Sequence, residues 1–84
     1  MNPDLTRLTH VEVAKLWQRR DEIFVLSEAE LKDNQAIDSS GIAFLVQWAK
    51  SKDNHKLTLR HPSSTVRALV KTFHLEPLFE MADD

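Results

Sequence analysis

The residues with the clearest chemical potential are Asp38, Ser39, Ser40 and Gly41, which stand where a strand-like segment turns into an apolar helix. Serine hydroxyls in such a place lie beside the unpaired N–H groups at the positive end of a helix dipole. A hydroxyl there can accept a phosphate, adding up to about two negative charges to the surface, or it can form part of a docking surface. Capping is the plainer role, because aspartate and serine are among the commonest N-cap residues, and spacing alone favours it. Gly41 is the only glycine in the chain. In the first turn of a helix it costs about 1 kcal/mol against alanine. Close approach of another backbone, or of a partner, is a reason to keep it.

Other chemistries find less support. His10, His55, His61 and His74 share neither a helical face nor a ligand spacing such as H-x-x-x-H, so no metal or cofactor is expected. A catalytic set of Ser39, His61 and Asp38 would need adjacent aspartate and serine to flank one histidine. There is also no glycine pattern of a nucleophile elbow, so no enzyme activity is expected. The chain has no cysteine, which excludes disulfides and thiolate chemistry and fits a reducing compartment. The net charge is −2, and the densest cations, Lys15, Arg19 and Arg20, are followed at once by Asp21 and Glu22. Nucleic acid needs a clustered basic face, so it is not an expected partner. Met1-Asn2-Pro3-Asp4 carries no signal-peptide pattern, and no apolar run approaches the length of a membrane span.

The elements that must position these residues can be read from periodicity. Thr9 followed by Glu12 makes a capping box, and Leu8 with Val13 a hydrophobic staple. Val13, Leu16, Trp17, Arg20 and Phe24 then follow one helical face, predicting a helix over about 10–22. Ile23 to Leu31 predicts a strand near 24–31, and Lys32-Asp33-Asn34-Gln35 a polar loop. Ile42, Leu45, Val46 and Ala49 predict a helix over about 40–51, with Lys50 and Lys52 suited to the negative end of its dipole. Lys56 to Arg60 alternates as a short strand, and Ser63 caps a third helix carrying Val66, Leu69, Val70 and Phe73. Apolar anchors follow from His74 to Phe79, and residues 81–84 are expected to fray.

This alternation argues for one α/β domain over residues 1–84, with parallel strands and crossover helices. Only two strands are legible, too few to shelter three amphipathic helices. A further strand is therefore expected at the N-terminus, missing or truncated, where residues 1–8 form only a short segment. Trp17 and Trp48 are candidate partner contacts, because tryptophan is enriched among binding hot spots. A core role is the commoner one at helical spacing. Trp48 falls about a hundred degrees off the Ile42–Leu45–Ala49 stripe and is expected to be partly exposed.

Ile37-Asp38-Ser39-Ser40-Gly41-Ile42-Ala43-Phe44-Leu45 resembles the signature of the STAS domain family, the bacterial anti-sigma factor antagonists and their relatives. The resemblance extends through Leu57-Thr58-Leu59, the Val66–Phe73 helix and the closing His74-Leu75-Glu76-Pro77-Leu78-Phe79. It implies a small domain with a few-stranded mixed or parallel sheet and about three helices, and a non-catalytic role in protein interaction. Ser39 would be the partner-contacting or phosphoacceptor residue, with Asp38, Ser40 and Gly41 beside it. Leu16-Trp17, the Asp38–Leu45 segment and the third helix look most similar to STAS subunits of Gram-negative ABC-type phospholipid transporters. That likeness implies a cytoplasmic accessory protein, peripheral to the inner membrane through its partner, the transporter ATPase. It favours Trp17 as a contact. The alternative implied by the family is an anti-sigma factor antagonist whose Ser39 is phosphorylated by a partner kinase. A nucleotide-binding STAS module would want a phosphate-cradling glycine loop, which the chain lacks.

Overall fold

Short apolar segments separated by capped helices fold into a small mixed α/β domain. The computed structural model describes residues 3–83. In chain order these form β1 (Arg7–Leu8), α1 (His10–Gln18), α2 (Arg20–Ile23), β2 (Glu28–Glu30), β3 (Ala36–Ile37), α3 (Ser39–Lys50), β4 (Leu57–Arg60), α4 (Ser64–Thr72) and β5 (Phe79–Ala82). A single 3-10 turn, Glu76–Leu78, precedes β5. Strand β1 pairs with β3, and β2–β4–β5 form a second sheet. Each ladder is parallel, with Leu8 opposite Ile37, Ala29 opposite Leu59 and Leu59 opposite Met81. Parallel neighbours require crossover connections, and the helices supply them.

The expected α/β class and the parallel pairing are therefore present, but the strand inventory differs. Three strands were not legible in sequence: β1, β3 and β5. Strands β1 and β3 are two residues each, too short to show a period of two. Where the N-terminal strand was expected to be missing or truncated, a two-residue strand, β1, lies within the short segment before α1. Met81 and Ala82, expected to fray, are instead paired in β5 with Leu59 and Arg60; Asp84 lies outside the described residues.

Two further boundaries move. The helix expected over 10–22 stops at Gln18, because Arg19 leaves helical geometry at φ −110°, ψ 17°. The chain restarts as α2, which turns Ile23 into the core. The strand expected near 24–31 shrinks to Glu28–Glu30. Phe24 caps α2 in αR geometry, and the next residues form a turn. Capping itself behaves as anticipated: the capping box forms at the start of α1, and the Ser63 hydroxyl accepts the Val66 N–H at 3.2 Å.

The core gathers around α3. Ile42, Leu45 and Ala49 form one buried stripe, and Gly41, Phe44 and Trp48 form a second. The sheet contributes Ala29, Leu57, Leu59 and Phe79, and α4 contributes Val66 and Val70. With two stripes buried, α3 keeps solvent exposure only along Ser39, Ala43, Gln47 and Lys50.

Candidate functional site

Asp38 organises the site by joining two helices. Its Oδ1 accepts the Gly41 N–H at 3.1 Å, capping α3, while its Oδ2 accepts the His10 N–H of α1 at 3.1 Å. The His10 ring nitrogen lies 3.7 Å from the same Oδ2, and the Asp38 N–H donates to the Leu8 carbonyl at 3.3 Å. One carboxylate thus satisfies donors at the N-termini of both helices, where anions are favoured. Burial pushes its carboxyl up. The Gly41, His10 and Ser40 N–H groups and the nearby His10 ring outweigh that, so it stays below its ordinary 3.8.

Gly41 is buried, and its role is internal. A Cβ there would stand 2.2 Å from the Leu8 carbonyl oxygen and 2.8 Å from both Leu8 Cβ and Ile37 Cγ1. The glycine lets α3 rest directly on β1 and β3. The backbone approached is therefore the chain's own, and Gly41 positions the site without lining its surface. Among the four motif residues, Ser39 is the exposed one and Ser40 is half-buried. Neither serine hydroxyl hydrogen-bonds to any of the described residues. The Ser39 hydroxyl heads the exposed stripe Ser39, Ala43, Gln47, which is uncharged until Lys50.

The two tryptophans separate. Trp48 is fully buried at 0% exposure, which overturns its expected partial exposure and removes it as a partner contact. The reason is the second buried stripe: its ring stacks on Phe24 at 6.0 Å and meets Phe44 edge-on at 6.2 Å. Its indole N–H donates to the Leu26 carbonyl at 2.9 Å. Trp17 remains 40% exposed. It touches Phe24 edge-on at 6.2 Å, and the Arg20 guanidinium covers its ring at 4.4 Å, a cation–π contact. Helix α1 lies against α3, so Val11, Ala14 and Trp17 add further exposed uncharged positions on the neighbouring helix. Phe24 is the residue that sequence reading missed. Placed in a strand by its β-propensity, it is instead the hub linking Trp17 to Phe44 and Trp48.

His61 does not approach Ser39. Its Nδ1 lies 2.9 Å from Glu30 Oε2, so the imagined Ser39–His61–Asp38 set does not form, and the histidine beside Asp38 is His10. Among the described residues no group of three or more histidine or acidic side chains could hold a metal ion, and no helix is long and apolar enough to cross a membrane.

Four carboxylates share a direction of shift, Asp4 being held below its ordinary 3.8 by the Thr6 hydroxyl first. Glu12 is held below its ordinary 4.5 by the Thr9 hydroxyl first, Glu30 below 4.5 by His61 first, and Asp38 below 3.8 as described. A depressed carboxyl stabilises the fold fully above its unfolded value and loses that contribution as pH falls through the folded one. The urea midpoint is therefore expected to hold from pH 7 to about pH 5 and to fall below pH 4.5. Asp38→Asn should narrow its gap to wild type as the pH drops. A midpoint unchanged between pH 7 and pH 3 would contradict the capping roles.

No protein-family model matches the chain, and neither a curated protein nor a solved structure matches it.

Proposed function

We propose that the chain is a non-catalytic STAS-type interaction subunit that binds and supports the ATPase of an ABC-type intermembrane phospholipid transporter. In this reading it is an MlaB-like accessory protein held at the inner membrane by that ATPase. The observation carrying the proposal is the exposed, uncharged stripe of α3 headed by the unbonded Ser39 hydroxyl. Depletion of charge suits the centre of a protein interface. The stripe is also rigidly mounted, since Asp38 ties α3 to α1 and Gly41 seats it on β1. A preformed surface loses little entropy on binding.

The arrangement also favours docking over a phosphate switch. The Asp38 carboxylate already occupies the N–H groups at this helix end. A phosphate on Ser39 would meet bonded donors and a like charge beside it. Arginine at Ser39 should project from the head of the stripe into the partner. Ser39→Arg and Trp17→Ala are each expected to weaken binding to the ATPase by about tenfold or more, measured by calorimetry. Ser39→Arg should leave the melting temperature nearly unchanged. Incorporation of one phosphate at Ser39 by a partner kinase, with binding abolished by Ser39→Asp, would instead establish the antagonist reading.

A further inference from the structure

Lys52 follows the end of α3, where its charge would be expected to serve the dipole of its own helix. Its ammonium instead donates to the Phe24 carbonyl at 2.8 Å and the Leu26 carbonyl at 2.9 Å. Phe24 is the C-cap of α2, whose last turn already carries Arg20, so Lys52, beyond the end of α3, brings a second cation to that helix end. The Leu26 carbonyl also accepts the Trp48 indole N–H. Both carbonyls flanking Val25 are therefore pinned inward, and Val25 projects outward at 73% exposure. The same turn carries Phe24, whose ring supports Trp17.

We infer that Lys52 is a positioning residue for the Trp17–Val25 edge of the binding face, holding the turn through its charge without itself being the contact. The inference rests on the proposed function only where it names that edge as part of the face. Hydrogen bonds from a charged donor are among the stronger ones in proteins. The turn is short, and within it the Leu26 N–H is held by the Ile23 carbonyl at 3.1 Å. Neutralising Lys52 should thus loosen the turn locally while the core around β4 stays closed. Any modification that removes the lysine charge would act in the same way.

The test uses the full chain and its Lys52→Met and Lys52→Arg variants. Amide exchange by NMR should show protection at Leu26 falling roughly tenfold in Lys52→Met, with Leu59 unchanged and most of the loss restored in Lys52→Arg. Unchanged protection at Leu26, or an equal loss at Leu59, would overturn the positioning role. Affinity of Lys52→Met for the ABC ATPase should fall with the local loosening; full affinity with a loosened turn would remove the turn from the face. If the wild-type chain bound no ATPase, the proposed function would fall, and exchange at Leu26 would still decide what Lys52 does.

Discussion

Replacing Gly41 with alanine is expected to destabilise the domain by about 2–4 kcal/mol, although helix propensity alone predicts a gain of about 1 kcal/mol. The sign is decided by the Leu8 carbonyl, 2.2 Å from the position of the new Cβ. That carbonyl cannot step aside easily, because it accepts the Asp38 N–H and belongs to β1. Helix α3 must lift, and the Asp38 contacts to His10 and Gly41 lengthen with it. A domain of this length has only about 4–12 kcal/mol of stability in total, so the effect should be plain in urea denaturation. Gly41→Leu should leave no folded protein. A stabilised Gly41→Ala would show that the contact between α3 and β1 is looser than described.

Trp48→Ala is the second large effect, expected to cost about 3–5 kcal/mol. It deletes the ring that stacks on Phe24 and abuts Phe44, and it removes one of the two donors to the Leu26 carbonyl. Trp48→Phe should recover most of the loss, leaving about 1 kcal/mol for the missing indole hydrogen bond. Trp17 remains as the fluorescent reporter in both variants. A loss below about 1 kcal/mol for Trp48→Ala would fit a surface side chain and contradict its complete burial.

These two residues also show where the fold was legible in the sequence. Asp38, Thr9, Glu12 and Ser63 announce their helix starts because capping is local chemistry, decided within four residues. The core of α4 was legible in part: Val66 and Val70 are buried and Leu69 half-buried as the stripe predicts, whereas Phe73 caps the helix and is 50% exposed. Trp48 was misread because α3 is buried on two sides, and a second stripe blurs the periodicity that a one-sided helix shows. The turn at 24–27 was misread because its geometry is imposed from afar, by Lys52 and Trp48. Phe24 and Val25 favour strands by propensity, but tertiary contacts override that preference. The strands β1 and β3 escaped because two residues carry no pattern.

The candidate site divides in a similar way. Its motif is visible in the sequence as a string of residues. The division of labour within the motif was not visible. Asp38 braces two helices, Gly41 seats α3 on its own sheet, and Ser39 is the motif's exposed residue, with its hydroxyl unbonded. Only the three-dimensional neighbours of each residue separate these roles.

The proposed partner of this α3 face is an ABC ATPase. That pairing is tested most directly by placing a photo-crosslinking side chain at Ala43, inside the exposed stripe, and at Glu80, on the exposed face of the β2–β4–β5 sheet. Each tagged chain would be crosslinked in cells and the adduct identified by mass spectrometry. An ATPase adduct is expected from Ala43 and none from Glu80. An ATPase adduct from Glu80 alone, or a kinase in place of the ATPase at Ala43, would contradict that pairing.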